Sequence, residues 1–380
     1  MMRWFGKKAP APAGAAVAAV QTCRGRGPWE AGLPRPLRPP EAAVYEELRE
    51  AVPILDAAIQ KIVRLSGGFR LEHPDPRAQR LLEGFRRRVP WGRSAVGLDS
   101  FLAGYLDCLL TYGSAVGEMV LSPGGREVAA LYLADLRDLE LRPGATPLET
   151  ELLTASPGGA KPLPYPELVF FSALDPRPGE AAGQSLLKGL PFLSSVLMQI
   201  YRSIGQNFER IGALRYAVTC KAGQGADAKA VADAIAREWS GAMEASARGE
   251  LRDFVAVGDV EIKVIGADSQ FIDTQVPVRQ ILEQMVAKTG LPPFLLGLSW
   301  STTERMSRQQ ADLLTSELES YRNLLTPVIQ KICGMVLELA GMGGEARVVW
   351  DNISLQDETE LAQARLMNAQ AAKLEKEGVN

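Results

Sequence analysis

Histidine and cysteine are scarce: the chain has one histidine and four cysteines in 380 residues. His73 sits in Glu72-His73-Pro74-Asp75-Pro76, a polar, proline-flanked turn, so chemistry built on histidine has almost nothing to work with. Cys23, Cys108, Cys220 and Cys333 lie far apart without C-x-x-C spacing and read as reduced, mostly buried thiols. No stretch of ~18 apolar residues occurs, so no transmembrane helix and no membrane partner are expected. Arg3, Lys7 and Lys8 before Ala15 to Val20 faintly imitate a secretion signal, but that run is short and lacks Leu, Ile and Phe.

An excess of one charge sign is missing too. Lys and Arg total 42 against 45 Asp and Glu, a net charge of -3, so no overall basic field holds duplex DNA by counterion release. The only basic clusters are Arg86-Arg87-Arg88 and Arg24 with Arg26, more economically read as solvated faces or subunit contacts than as nucleic-acid sites. Nucleotide cradles are absent: Gly223-Gln224-Gly225-Ala226-Asp227-Ala228-Lys229 has neither the P-loop nor the dinucleotide spacing. No H-E-x-x-H, no G-x-S-x-G and no paired acidic motif occurs, so neither a metal nor a cofactor is expected.

One enzyme-like pattern needs weighing. Ser185-Leu186-Leu187-Lys188 and Lys288-Thr289-Gly290 match the S-x-x-K and K-T-G pieces of penicillin-recognising serine enzymes. That chemistry needs Lys-Thr-Gly on a strand beside the nucleophile. Here it closes a helix before Leu291-Pro292-Pro293, and no Ser-Asp-Asn lies between the two pieces. Catalytic residues are therefore not assigned, and the chain reads as a non-enzyme.

What is present is a folded protein of more than one core. Hydrophobic residues make up 46% and charged residues 23%, and the length exceeds what a single core usually holds. Residues 1–43 are rich in Ala, Pro and Gly and read as a flexible arm. A helical stripe (Tyr45, Leu48, Val52, Leu55, Ile59, Ile62) follows, interrupted by Pro53 and stopped by Gly67-Gly68. Asp99 is placed to cap the next helix, which ends at Gly113-Ser114. Ala115 to Leu121 and Val128 to Leu133 form a hairpin around Ser122 to Arg126, with further strands at Leu139 to Arg142 and Glu167 to Phe171.

From Gln184 a long helix carries Leu193, Leu197, Ile200 and Ile204 on one stripe, and a second over 275–289 carries Val278, Ile281, Leu282 and Met285. Between them lies a small insertion: a strand over Leu214 to Cys220, a helix over Ala228 to Met243, then strands over Phe254 to Val257 and Glu261 to Ile265. The second helix stops at Gly290 with Leu291, Pro292 and Pro293 beyond. A helix of about 36 residues is expected from Glu304, kinked at Pro327. The tail from Asp357 to Asn380 carries a weak helical stripe.

The order Ala287-Lys288-Thr289-Gly290-Leu291-Pro292-Pro293-Phe294-Leu295-Leu296-Gly297, a Ser/Thr-rich loop, then a long helix with Gln309-Gln310, Tyr321 and Leu324 to Ile329, resembles the portal proteins of tailed bacteriophages. That family carries a G-(I/L/V)-P-P-x-L-L-G turn before a kinked helix. The resemblance spans residues 40 to 345. It implies an α+β, mostly helical fold: an N-terminal arm (1–43), a wing (44–184), a stem helix (185–211), an α/β clip (212–267), a return stem helix (268–290), the channel loop and long wing helix (291–345), and a short crown or tail (346–380).

By the same resemblance the chain is a virion protein assembled in the host cytoplasm, a homo-oligomer forming a ring of about twelve subunits at one capsid vertex. Double-stranded DNA passes non-specifically through it during packaging and ejection. The partners implied are the terminase, which supplies the ATPase, the major capsid protein or scaffold, and a head-tail adaptor. Leu298, Ser299, Trp300, Ser301, Thr302 and Thr303, uncharged throughout, are then the loop facing DNA. The competing reading is a non-viral helical scaffold or adaptor whose long helices only dock partners.

Overall fold

The protein is described by a computed structural model covering residues 34–144, 149–156, 158–212, 215–221, 228–248, 259–265, 274–298 and 304–353. It divides into two compact units, Met1–Ser194 with Leu282–Asn380, and Ser195–Ile281.

The larger unit opens with β1 (Arg35–Pro36), followed by α1 (Ala42–Ala51) and α2 (Pro53–Leu65). Pro53 ends α1 as expected. It holds Val52 extended at φ -122°, ψ 85°, and then serves as the first residue of α2, where its missing N–H costs nothing. β2 (Phe69–Glu72), α3 (Pro76–Arg88), β3 (Pro90–Trp91) and β4 (Ala95–Val96) lead to α4 (Leu98–Tyr112). α1 and α2 pack on α4, burying Leu55, Ile59 and Ile62 against a helix whose Phe101, Tyr105, Leu106 and Leu109 are also buried. Each such side chain contributes about 1.5–3 kcal/mol by leaving water.

α4 ends where Gly113 takes φ 82°, a left-handed conformation that suits glycine. Gly183 packs onto the Gly113 carbonyl and the Leu174 backbone so closely that neither position has room for a side chain. β5 (Ser114–Leu121) and β6 (Val128–Leu133) form the expected hairpin. β7 (Leu139–Pro143), β8 (Thr150–Thr154), β9 (Lys161–Pro162) and β10 (Val169–Ala173) complete the strands before the first long helix. The sheets run β10-β5-β6-β3-β4 and β1-β7-β8-β9. Tyr105, fully buried, stitches helix to sheet: its hydroxyl lies within hydrogen-bond reach of the Ala115 carbonyl at 3.0 Å, to which it can donate, and of the Ser172 hydroxyl at 2.9 Å, and burial pushes the phenol well above its ordinary range.

The smaller unit holds α5 (Leu190–Gly212) from Ser195 onward, β11 (Arg215–Lys221), α6 (Ala228–Ala247), β12 (Asp259–Ile265) and α7 (Gln275–Thr289) up to Ile281. β11 and β12 pair antiparallel from Arg215↔Ile265 to Lys221↔Asp259. The strand expected over Phe254 to Val257 lies outside the described residues. The larger unit resumes and ends with α8 (Glu304–Leu339) and β13 (Arg347–Trp350).

Four expectations need correction. Residues 34–43 are not part of a loose arm: Arg35–Pro36 pairs with β7, and Leu37 is 2% exposed in a core with Val116 and Leu141. Asp99 does not cap α4, since Gly97 stands at the cap. Its carboxylate instead accepts from Arg86 Nη2 at 2.7 Å and Nε at 2.9 Å. The long helix starts at Leu190 rather than near Ser185, because Ser185 Oγ accepts from Leu187 N at 3.0 Å and Gly189, at φ 89°, breaks the turn. Residues 346–353 belong to the body rather than a tail, as β13 pairs antiparallel with β2 from Arg347↔Glu72 to Trp350↔Phe69.

Candidate assembly and channel site

The stripe residues on the two long helices differ in burial. Leu197, Ile281 and Met285 are buried, while Leu193, Ile200, Ile204, Val278 and Leu282 are half-buried. The same helices expose large apolar side chains: Tyr201 and Phe208 on α5, seven residues apart and so on one face, and Val276 on α7.

α7 stops through a stack of local devices. Thr289 Oγ1 donates to Val286 O at 2.8 Å and accepts from Leu291 N at 3.4 Å, satisfying groups that the helix end leaves open. Gly290 turns the chain at φ 69°, and a Cβ there would sit 3.5 Å from Glu317 Cγ of α8. Leu291 and Pro292 are buried. Pro293 to Leu296 wind into one 3-10 turn that packs on α2 and ends at Gly297, φ 77°. Leu298 N then donates to Pro293 O at 3.1 Å. Ser299, Trp300, Ser301, Thr302 and Thr303 lie outside the described residues, so the rest of the expected channel loop has no described placement.

α8 is one helix of 36 residues, and it continues across Pro327, which has no N–H for the Asn323 carbonyl. Its first turns expose Leu313, 68% accessible. Its later turns bury Leu325, Val328, Ile329, Ile332 and Cys333. Lys331 Nζ donates to Val169 O at 2.6 Å, and burial lowers its pKa.

A cluster absent from the sequence reading fixes α8 in place. Arg322, 6% exposed, donates from Nε to Ser66 O at 2.8 Å and lies 5.1 Å from the centre of the Trp350 ring. Trp350 stands 5.3 Å from Phe69, and the Arg86 guanidinium covers the Phe69 ring at 4.7 Å. Two guanidinium groups thus bracket an aromatic pair across α8, β13, β2 and α3. The available signal was Gly67-Gly68, read only as a helix stop. A Cβ on Gly67 would lie 2.9 Å from Arg322 Nη2, and one on Gly68 2.8 Å from Asp351 Oδ2.

A second polar cluster joins α1 to α4. Arg49 Nη1 donates to Asp107 Oδ1 at 2.6 Å and Thr111 Oγ1 at 2.7 Å, with Asp56 on its other side. Burial works against that charge, and the two carboxylates more than offset it. Beside it the Tyr112 hydroxyl donates to Glu46 Oε1 at 2.6 Å and Arg38 Nη2 donates to the same oxygen at 2.8 Å, holding Glu46 below the usual carboxylate range.

The enzyme-like pieces do not assemble. Ser185 is buried with its Oγ 3.4 Å from Leu110 O, whereas Lys188 Nζ donates to Gln184 Oε1 at 2.8 Å. Among the described residues no group of three or more His, Cys, Asp or Glu is placed to hold a metal, and no helix is long and apolar enough to cross a membrane.

No protein-family model matches the chain, and no curated protein matches it. Solved structures do. The α+β, mostly helical architecture overlaps a chain of the virion of native gene transfer agent (GTA) particle at TM-score 0.62, with 16% identity over 90% of this chain and 92% of that one. The two chains share a fold. A chain in the neck of the native GTA particle, computed with C12 symmetry, overlaps at TM-score 0.61 with 16% identity over 90% and 91% of the two chains. A chain in the neck of the empty GTA particle, computed with C6 symmetry, overlaps at 0.62 with 15% identity over 90% and 92%.

Proposed function

We propose that this protein is a portal subunit, forming a ring at one capsid vertex through which double-stranded DNA passes during packaging and ejection. The observation that carries the reading is the overlap, along nearly the whole of both chains, with a component of a particle neck computed with C12 symmetry. The Gly290 to Gly297 turn leading into a 36-residue helix supports the same reading, because that order is the portal-like feature of the sequence.

In this reading α5 and α7 are the stem, carrying Leu193, Leu197, Ile200, Ile204, Val278, Ile281, Leu282 and Met285. Tyr201, Val276 and Leu313 offer apolar area to neighbouring copies. β11, α6 and β12 form the clip that meets terminase or adaptor, and Leu298 to Thr303 face the DNA. A conduit must let its cargo slide, and a net charge of -3 with an uncharged loop avoids the many phosphate contacts that would grip it.

Negative-stain imaging and mass measurement of the purified protein test this. Closed rings with a central hole, of mass about twelve times 41.1 kDa, are expected. A chain that stays monomeric, or forms open assemblies at all concentrations and ionic strengths, contradicts the reading.

A further inference from the structure

β10 is the edge strand of its sheet, and its outer side is open. Leu174 N donates to Gly113 O and Ala134 N donates to Val116 O. With Phe170↔Gly117 and Ser172↔Ala115 in register, these bonds fix the alternation: Phe170 and Ser172 bond to β5, while Val169, Phe171 and Ala173 direct their N–H and C=O groups outward. Lys331 takes the Val169 carbonyl. Among the described residues, nothing pairs with the outward groups of Phe171 and Ala173.

β8 has a bare edge as well. Gly144 N to Glu149 O and Ala155 N to Asp138 O put Glu151 and Leu153 on the β7 side, so Thr150 and Leu152 point away from β7. β9 is two residues long and covers only Leu153 and Thr154. Both edges line a single open groove of about 880 Å³, walled by Leu152, Leu163, Phe171, Leu324, Pro327 and Val328. Two strand edges beside an apolar groove are a template for a further extended segment, and folded proteins normally cover such edges.

We infer that the groove binds the N-terminal segment of the same chain as an added strand along β10. Position and reach favour this occupant. Residue 34 directly precedes β1, which lies two strands from β8 in the same sheet, about 10 Å at ordinary strand spacing. A chain spans about 3.3 Å per residue when extended, so the residues from Val17 to Pro34 reach farther than the groove requires. Composition favours it too. Ala15-Ala16-Val17-Ala18-Ala19-Val20-Gln21-Thr22-Cys23 is uncharged, free of proline and mostly small and apolar, with Val17 and Val20 as its larger apolar groups. The segment after residue 353 is acidic at Asp357, Glu358 and Glu360 and charged again at Lys373, Glu375, Lys376 and Glu377, so it suits an apolar strand edge poorly. The inference does not depend on ring formation.

Hydrogen exchange tests it on the isolated full chain, on a chain starting at Pro34, and on the full chain carrying Val17→Lys with Val20→Lys. The Phe171 and Ala173 amides are expected to exchange at least ~10-fold faster in both altered chains, with the β5–β6 hairpin unchanged. A synthetic peptide of residues 12–23 added to the shortened chain should restore the slow exchange. Equal exchange in all three chains overturns the inference. So does protection that depends on residues 354–380, or that appears only when copies assemble.

Discussion

Arg322 donates its Nε proton to the carbonyl of Ser66 at 2.8 Å across 256 positions of sequence, and the Trp350 ring lies 5.1 Å from the same guanidinium. The bond ties the last turn of α2 to the middle of α8 at a place almost sealed from water. An unpaired carbonyl there would lose its partner with no replacement.

Arg322→Ala is therefore expected to lower unfolding stability by about 2–4 kcal/mol, measured by urea denaturation. Arg322→Lys should recover less than half of that, because an ammonium cannot present the planar fork or stack on Trp350 as a guanidinium does. A loss under about 1 kcal/mol for the alanine variant contradicts the anchoring role.

Cys108 and Cys333 are each pushed up to about 12 by burial, and Tyr321 likewise to about 12. The unfolded chain gives up these protons first, so between about pH 9 and 12 it binds fewer protons than the folded one, and stability falls as pH rises. Below about pH 7.5 all three groups are protonated in both states and contribute no slope. These groups should leave denaturation midpoints unchanged up to about pH 7.5 and lower them progressively above about pH 8, and both thiols should resist alkylation at pH 8 until denaturant is added. Rapid labelling of Cys333 in the folded chain would contradict the buried placement.

If residues 298–303 form the proposed channel loop, Trp300 is expected to touch DNA or a neighbouring subunit, since a tryptophan left in solvent is an apolar liability. Trp300→Ala should leave rings intact in electron micrographs while reducing DNA packaging or retention in particles. Normal packaging and retention by the variant would remove the loop from the DNA path.

Replacing Gly212 to Ile265 with a short glycine linker should leave the larger unit folded, by circular dichroism and thermal melting, and abolish stable rings. Rings of unchanged size would show that the insertion is not needed for assembly.

The sequence made some elements legible through local chemistry alone. The α8 stripe from Leu314 to Leu339, the break at Pro53, and the stop from Thr289 to Gly297 are written in spacing and in residues that forbid the alternative backbone. α3 escaped because its arginines mask the apolar positions, of which only Ala78 and Leu82 are buried. β1, β2 and β13 escaped for another reason: strands of two to four residues carry no periodicity of their own and exist only through a distant partner. Asp99 looked like a cap because a carboxylate at a helix start usually is one, and Gly97 with Arg86 redirected it. The Arg322 stack is a product of the same long-range closure, so of the candidate site the helices and the turn could be read in advance and the contacts that lock them could not.

The β2–β13 pairing also sets a timetable. Phe69 meets Trp350, and roughly 280 residues must be synthesised between them, about 15 to 60 s at ordinary elongation rates. Throughout that interval the nascent chain carries an unmatched strand, an apolar Phe69 and a vacant seat for Arg322. Completion of the larger unit thus waits until β13 has been made, and a cell making many copies at once must keep these half-built chains from pairing with one another.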